Sequence, residues 1–336
     1  MQRIAIIGAG FIGAAHAMAC SNSDVLELVA VCDTNEVTGQ ALAKKYECAF
    51  FTGEETMLEE LRDEIDIVDV CVPTFLHKHC VLIAANHKKH IVCEKPIALT
   101  LEDADEIIEA VRNAGVKLLV AQVLRFWPEY VEIKRMVEDF EFGRVKMVYA
   151  NRLSQPPSWA PWQTDPDKSG GALFDLTIHD IDAVVWLFGP VRRVYAVAWQ
   201  SETGCYNHIV TTLTLESGVR AVVEGSLEMS ESYPFTMTMR IVGANKTADF
   251  SMSAGFNIDD LDSARRDLFV YEKGKYPVKT WVDVTADAYK TQLDYFAECL
   301  EKGVSPTTIT PKQTREVLRI VLAIKESIET GNVISI

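Results

Sequence analysis

The chain opens Met1-Gln2-Arg3-Ile4-Ala5-Ile6-Ile7-Gly8-Ala9-Gly10-Phe11-Ile12-Gly13, and this stretch decides the fold. Arg3–Ile7 is a short, continuous apolar run, which is what a parallel strand covered on both faces needs. It meets a G-x-G-x-x-G turn without a spacer, and the turn opens an amphipathic segment, Phe11–Cys20. Gly8 permits the tight turn, Gly10 lets a pyrophosphate approach the backbone, and Gly13 lets the helix lie close on the strand. The helix N-terminus, with Phe11 and Ile12 as its first residues, supplies N–H donors and a positive dipole end. Twenty residues after Gly13, at the end of the run Leu26–Cys32, stands Asp33, where an acid accepts from ribose hydroxyls. Thr34-Asn35-Glu36 offer no cation for a 2′-phosphate, so NAD is expected in preference to NADP.

The same rhythm repeats outward. Apolar runs at Ile67–Val72, His90–Cys93 and Lys117–Ala121 alternate with helix-length segments at Glu36–Tyr46, Glu54–Leu61, Leu76–Asn86 and Leu101–Ala114. Strand and helix alternating in this way predict a doubly wound α/β sheet, an NAD(P)-binding Rossmann domain over residues 1–121. Beyond residue 122 the pattern changes to helices at Trp127–Phe140 and Ala172–Phe188 around a loop rich in Pro and Trp. From Arg192 to Thr285 alternation of period two dominates, broken by turns such as Ser217-Gly218 and Lys273-Gly274. The expectation for residues 122–336 is an α+β domain with a large open-faced, mostly antiparallel sheet, closed by helices at Ala288–Glu301 and Lys312–Glu329.

Composition narrows the function classes. The 336 residues carry 33 Lys+Arg against 48 Asp+Glu, a formal net charge of −15, which disfavours binding to nucleic acid. No uncharged run reaches about 18 residues and no charged-then-apolar leader precedes Arg3, so a cytoplasmic protein without a membrane span is expected. The eight cysteines are scattered with no C-x-x-C, which reads as buried free thiols. His77, His79, His87 and His90 cluster in the chain, yet His77 and His79 diverge by about 200° on a helix, so no metal site is expected.

Two segments carry candidate chemistry. Glu94-Lys95-Pro96 ends a strand run, and ligands of open α/β sheets bind beyond the carboxyl ends of strands, so Lys95 should face the cofactor. In Ala172–Phe188, Asp175 and His179 lie at i, i+4 and Asp182 at i+7, one ionisable stripe amid Phe174, Ile178, Ile181, Val185 and Phe188. Buried ionisable groups are costly unless paired or used, although a capping Asp175 and a satisfied core His179 fit the same spacing.

Taken together, Gly8–Gly13, Val72-Pro73-Thr74 with His77, Glu94-Lys95-Pro96, Arg125-Phe126-x-Pro128 and Gly170-Gly171…Asp175…His179…Asp182 resemble the glucose–fructose oxidoreductase / inositol dehydrogenase / MocA family over nearly the whole chain. The resemblance implies NAD(P)-dependent oxidation of a secondary alcohol of a sugar or cyclitol, or the reverse reduction. It implies Lys95, Asp175 and His179 as catalytic residues, and places Val72, Pro73, Thr74, His77 and Glu94 at the cofactor. Ser169 stands where many members have a third glycine, and Thr177 where glycine is frequent. Arg125, Trp159, Trp162 and Asp182 are candidate substrate contacts. Two other functions fit the motifs: an NAD-dependent glycoside-processing enzyme that oxidises a sugar transiently, and a non-catalytic NAD-binding sensor. Alternating apolar residues along Val194–Trp199 and Thr236–Ile241 point to a homodimer or homotetramer assembled through the second sheet.

Overall fold

The first sheet holds six parallel strands. The order of elements is β1 (Gln2–Ile7), α1 (Phe11–Ser21), β2 (Leu26–Cys32), α2 (Glu36–Lys45), β3 (Ala49–Phe51), α3 (Glu54–Glu60), β4 (Ile67–Val70), α4 (His77–Asn86), β5 (His90–Cys93), α5 (Leu101–Ala114) and β6 (Leu118–Val120). The strands lie in the order β3-β2-β1-β4-β5-β6, so the chain reverses direction across the sheet between β1 and β4. That is the dinucleotide-binding order, with its switch point beside Gly8. All of Ile4–Ile7 and Ile67–Val70 are buried, as a strand covered on both faces requires. The structure is a computed structural model that describes residues 1–157, 161–255, 264–283 and 286–336.

The second sheet has nine strands. It follows α6 (Pro128–Glu138) with β7 (Met147–Leu153), a short helical turn α7 (Pro166–Ser169) and α8 (Ile178–Phe188). Then come β8 (Val191–Gln200), β9 (Tyr206–Leu215), β10 (Arg220–Ser226), β11 (Phe235–Val242), β12 (Lys246–Ala254), β13 (Arg265–Glu272) and β14 (Val278–Lys279). Helices α9 (Ala288–Glu301) and α10 (Pro311–Thr330) precede the last strand, β15 (Ile334–Ser335). The order is β14-β13-β12-β11-β7-β10-β9-β8-β15. Among the described residues of this sheet, only β7 with β10 is a parallel pair, Met147 opposite Arg220 through Leu153 opposite Ser226. This is the expected mostly antiparallel sheet.

Packing divides the described chain into Met1–Phe126 with Asp287–Glu316, and Trp127–Ala286 with Val317–Ile336. The expected partition, 1–121 and 122–336, has the chain crossing once, whereas it crosses, returns at Asp287 and crosses again at Val317. Helix α9 joins the first unit through its aromatic residues. The Tyr289 ring lies 5.5 Å from that of His16, and the Tyr295 ring 5.4 Å from that of Phe126. An amphipathic helix shows which face it buries but not which sheet it will cover, so sequence patterning could not have assigned it.

The expected apolar faces also need one correction. On β11, Phe235, Met237, Met239 and Ile241 are all buried, so that alternation serves the protein's own core. The uncovered apolar face lies on the other side. Tyr195, Val197 and Trp199 of β8 are 39, 53 and 68% exposed. The strand registers place Tyr149 of β7 and Tyr271 of β13 on the same side. No helix among the described residues is long and apolar enough to cross a membrane.

Candidate active site

In the first unit, the glycine turn is built for close approach. Gly8 has φ +104°, and a Cβ there would lie 2.6 Å from the Cys71 carbonyl oxygen; at Gly13 it would lie 1.9 Å from the Gly8 carbonyl oxygen. At Gly10 a Cβ would meet nothing within 4 Å, so the space above the turn is open. Helix α1 starts there with no side-chain cap and no acid in its first turn, which leaves its leading N–H groups for an anion. Phe11 is partly exposed at the helix start and Ile12 packs against the core. Asp33 closes the turn from β2: its Oδ2 accepts from the Ala9 amide at 2.6 Å and its Oδ1 from Asn35 at 2.7 Å. Each carboxylate oxygen keeps a further lone pair, so the residue that shapes the turn can still accept from ribose hydroxyls. These features fit a dinucleotide.

Lys95 follows β5, half-buried, and a cis peptide joins it to Pro96. Its amide donates to Glu94 Oε2 at 3.0 Å, while the Glu94 amide donates to Val70 of β4. His77, expected at the cofactor, is 1% exposed. Its Nδ1 is 2.8 Å from the Pro96 carbonyl oxygen and its Nε2 2.9 Å from that of Val72. It thereby fastens Val72-Pro73-Thr74 to the segment carrying Lys95. Burial pulls its pKa below the ordinary histidine value, and a neutral ring donates its one N–H to one of the two carbonyls. The other clustered histidines disperse: exposed His79 pairs with Glu54 at 2.8 Å, and His90 Nδ1 accepts from the Lys117 amide. The eight cysteines are free, and burial pushes the Cys32 and Cys80 thiols up to about 12.

In the second unit, the expected helix over Ala172–Phe188 is not uniform. Leu173–Thr177 winds as a π-turn and α8 begins only at Ile178. A π-turn inserts one extra residue into the winding, and such insertions recur at functional sites. The expected single stripe is not uniform in depth: Asp175 and His179 are half-buried, but Asp182 is buried, with 1% exposure. Gln163, which no sequence signal marks, donates from Nε2 to Asp175 Oδ2 at 3.0 Å. Beneath the helix, Arg152 Nε bonds buried Asp180 at 2.9 Å. Burial drives that carboxyl above the usual range, although Arg152 and the Tyr130 hydroxyl oppose the shift. Trp162 sits half-buried on a 3₁₀ turn, and Trp159 lies outside the described residues.

The family model for an oxidoreductase family with an NAD-binding Rossmann fold matches residues 2–122, and that for the GFO/IDH/MocA C-terminal domain matches residues 130–249. The chain belongs to the GFO/IDH/MocA oxidoreductase family. It is 29% identical to an uncharacterized oxidoreductase, YrbE, of Bacillus subtilis, covering 98% of this chain and 95% of that protein. It is also 29% identical to inositol 2-dehydrogenase of Rhizobium meliloti, covering 90% of this chain and 89% of the relative. The fold matches that of an aldose-aldose oxidoreductase from Caulobacter crescentus with a TM-score of 0.87 at 21% identity, covering 100% of this chain and 99% of that one.

Two departures from the GFO/IDH/MocA pattern have structural uses. The Ser169 hydroxyl donates to the Gln163 carbonyl at 2.8 Å and accepts from the Gly171 amide at 2.9 Å, tying the loop that carries Gln163 to the π-turn. The Thr177 hydroxyl donates to the Ala172 carbonyl five residues back, at 3.1 Å, which caps the π-winding from inside. Room for it comes from β10, where a Cβ on Gly225 would fall 2.0 Å from Thr177 Oγ1. Arg125 is 3% exposed and reaches the Thr308 carbonyl at 2.6 Å and Gln313 at 3.2 Å, within the first unit. Gly225→Ala should therefore destabilise the protein by about 1–3 kcal/mol through overpacking. Adding Thr177→Gly should recover most of that loss in thermal unfolding, and an additive pair would show that the two residues do not share the space.

Proposed function

We propose that the protein is an NAD-dependent dehydrogenase of a secondary alcohol on a sugar or cyclitol, with Lys95, Asp175 and His179 as its catalytic residues. The observation that carries this is the alignment, at the carboxyl ends of the adjacent parallel strands β1, β4 and β5, of the open glycine turn, the Val72–Thr74 segment and Lys95. That is where an open α/β sheet binds a dinucleotide, and it leaves a cation beside the nicotinamide end. The substrate class follows from family membership and from similarity to an inositol 2-dehydrogenase.

The nicotinamide, when bound, accepts or returns the hydride, so the chain has to manage a proton and a charge. His179, half-buried among apolar residues, takes the hydroxyl proton in oxidation and returns it in reduction. Lys95 donates to the substrate oxygen and stabilises its developing negative charge. Asp175, held by Gln163, orients the imidazole or a neighbouring hydroxyl. Asp33 reads the ribose, with Glu36 adding local negative charge against a 2′-phosphate.

Lys95→Ala and His179→Ala should each lower kcat by about 10²-fold or more while NADH binding, followed by fluorescence, stays intact. The substrate is found by following NADH absorbance across a panel of inositols and aldoses. Turnover of a glycoside without net NADH would point instead to transient oxidation, and near-wild-type kcat in both variants would remove the catalytic assignment.

Asp33→Ala should weaken NAD more than NADP, because it removes both the ribose acceptor and the charge that repels the extra phosphate. Equal losses would mean that Asp33 only shapes the turn.

The exposed row Tyr149, Tyr195, Val197, Trp199 and Tyr271 supports assembly through the open face of the second sheet, as a homodimer or homotetramer. Light scattering at micromolar concentration should give a multiple of 37.5 kDa, and Trp199→Glu should shift it toward the monomer mass.

A further inference from the structure

Beneath the glycine turn lies a group of ionisable side chains that the proposed chemistry does not use. His16, on α1, and Asp69, on β4, are fully buried, and Glu94 is 6% exposed. His16 Nδ1 is 2.8 Å from Asp69 Oδ2. Its Nε2 is 3.3 Å from Glu94 Oε1, at ion-pair distance without the alignment of a hydrogen bond. The Cys71 thiol donates to Asp69 Oδ1 at 3.5 Å and lies 3.4 Å from His16 Nδ1. Together His16, Asp69 and Cys71 have the donor chemistry of a metal site, their donor atoms within 4.8 Å of one another. The ring, however, lies between two carboxylates, which only accept, and an imidazole that faces an acceptor from each nitrogen is satisfied when both carry protons.

We propose that His16 is a positioning residue for Lys95: as a buried cation between Asp69 and Glu94, it fixes the carboxylate that receives the Lys95 amide. Glu94 Oε2 accepts that amide at 3.0 Å while Oε1 faces His16, so the histidine decides which way the carboxylate points. A buried carboxylate without a counter-charge is costly, and His16 removes that cost for both acids. Burial alone would discharge the ring; the Asp69 charge and hydrogen bond outweigh it and hold the imidazolium well above its ordinary pKa. The other groups around it are Cys20 on its own helix, the Tyr289 ring on α9, and Asp294 on α9, whose charge reaches Cys20. Burial raises the Cys20 and Cys71 thiols, so both stay neutral. One rigid element, α1, thus carries the diphosphate turn at its start and the brace for Lys95 at its sixth residue.

The inference rests on Lys95 being the residue that meets the substrate oxygen, and its test needs no turnover. In protein labelled with ¹⁵N-histidine, the His16 ring should remain protonated on both nitrogens from pH 6 to pH 9. A ring with one bare nitrogen at pH 8, whether neutral or bound to a metal, overturns the proposal, and this measurement needs no variant. In His16→Gln, amide exchange at Lys95 should accelerate about tenfold while amides of β1 and β4 stay within about twofold of wild type. Unchanged exchange at Lys95, or equal acceleration throughout the sheet, overturns it. If Lys95 exchange responds as expected but kcat of Lys95→Ala stays near wild type, the brace stands and the catalytic assignment of Lys95 falls.

Discussion

The structure depends on a steric constraint at the switch point of the first sheet: α1 can lie on β1 only because two positions lack a Cβ. A side chain at Gly13 would collide with the Gly8 carbonyl, and one at Gly8 with the Cys71 backbone. Both obstacles are main chain, which cannot rotate aside as a long side chain can. That closeness points the uncapped helix N-terminus at open space over Gly10 and brings His16 down among Asp69, Cys71 and Glu94. The open approach above Gly10 and the packing of His16 among Asp69, Cys71 and Glu94 are therefore two consequences of one helix–strand contact.

The net charge of −15 has little bearing on this site. An anion at a helix N-terminus is held by N–H groups and a dipole that act within the first turn, whereas the surface charge is screened over about 10 Å at ordinary salt. The two buried histidines show the same locality. Between two carboxylates, His16 gains more from its partners than burial takes away. Between two carbonyls, His77 feels the charges of Glu94 and Lys95 only as opposing, lesser influences, and burial prevails. Residue type and burial are the same, and the opposite directions come from the partners alone.

The first unit was legible in the sequence where a pattern needs no partner to be recognised. β1, β2, β4, β5 and β6 each announce themselves as apolar runs, and the glycine turn is defined by its position against β1. β3 escapes because three half-buried residues make no run. β12, Lys246–Ala254, stands out less from the surrounding alternation because two of the four residues on its buried face, Ala248 and Ala254, are small. The return of α9 to the first unit depends on tertiary packing that periodicity does not encode. Among the site residues, Lys95 and Asp33 were legible from strand ends. Gln163 was not, because it lies in a loop and acts across twelve residues of chain.

The π-turn was the least legible feature, and it bears most on how an ionisable pair is kept in an apolar helix. A regular α-helix through Leu173–Phe188 would give Asp175, His179 and Asp182 one common face, and that face would have to be wet or wholly buried. The extra residue turns Asp175 relative to α8, which carries both His179 and Asp182. Asp182 lies in the interior, while Asp175 and His179 stay at intermediate depth. The winding is held by a hydroxyl that bonds five residues back, and that hydroxyl fits because the facing strand carries glycine at position 225. Thr177 and Gly225 are 48 residues apart in the chain, yet the π-turn that carries Asp175 packs on the pair. The threonine is thus accommodated by a glycine on the opposing strand.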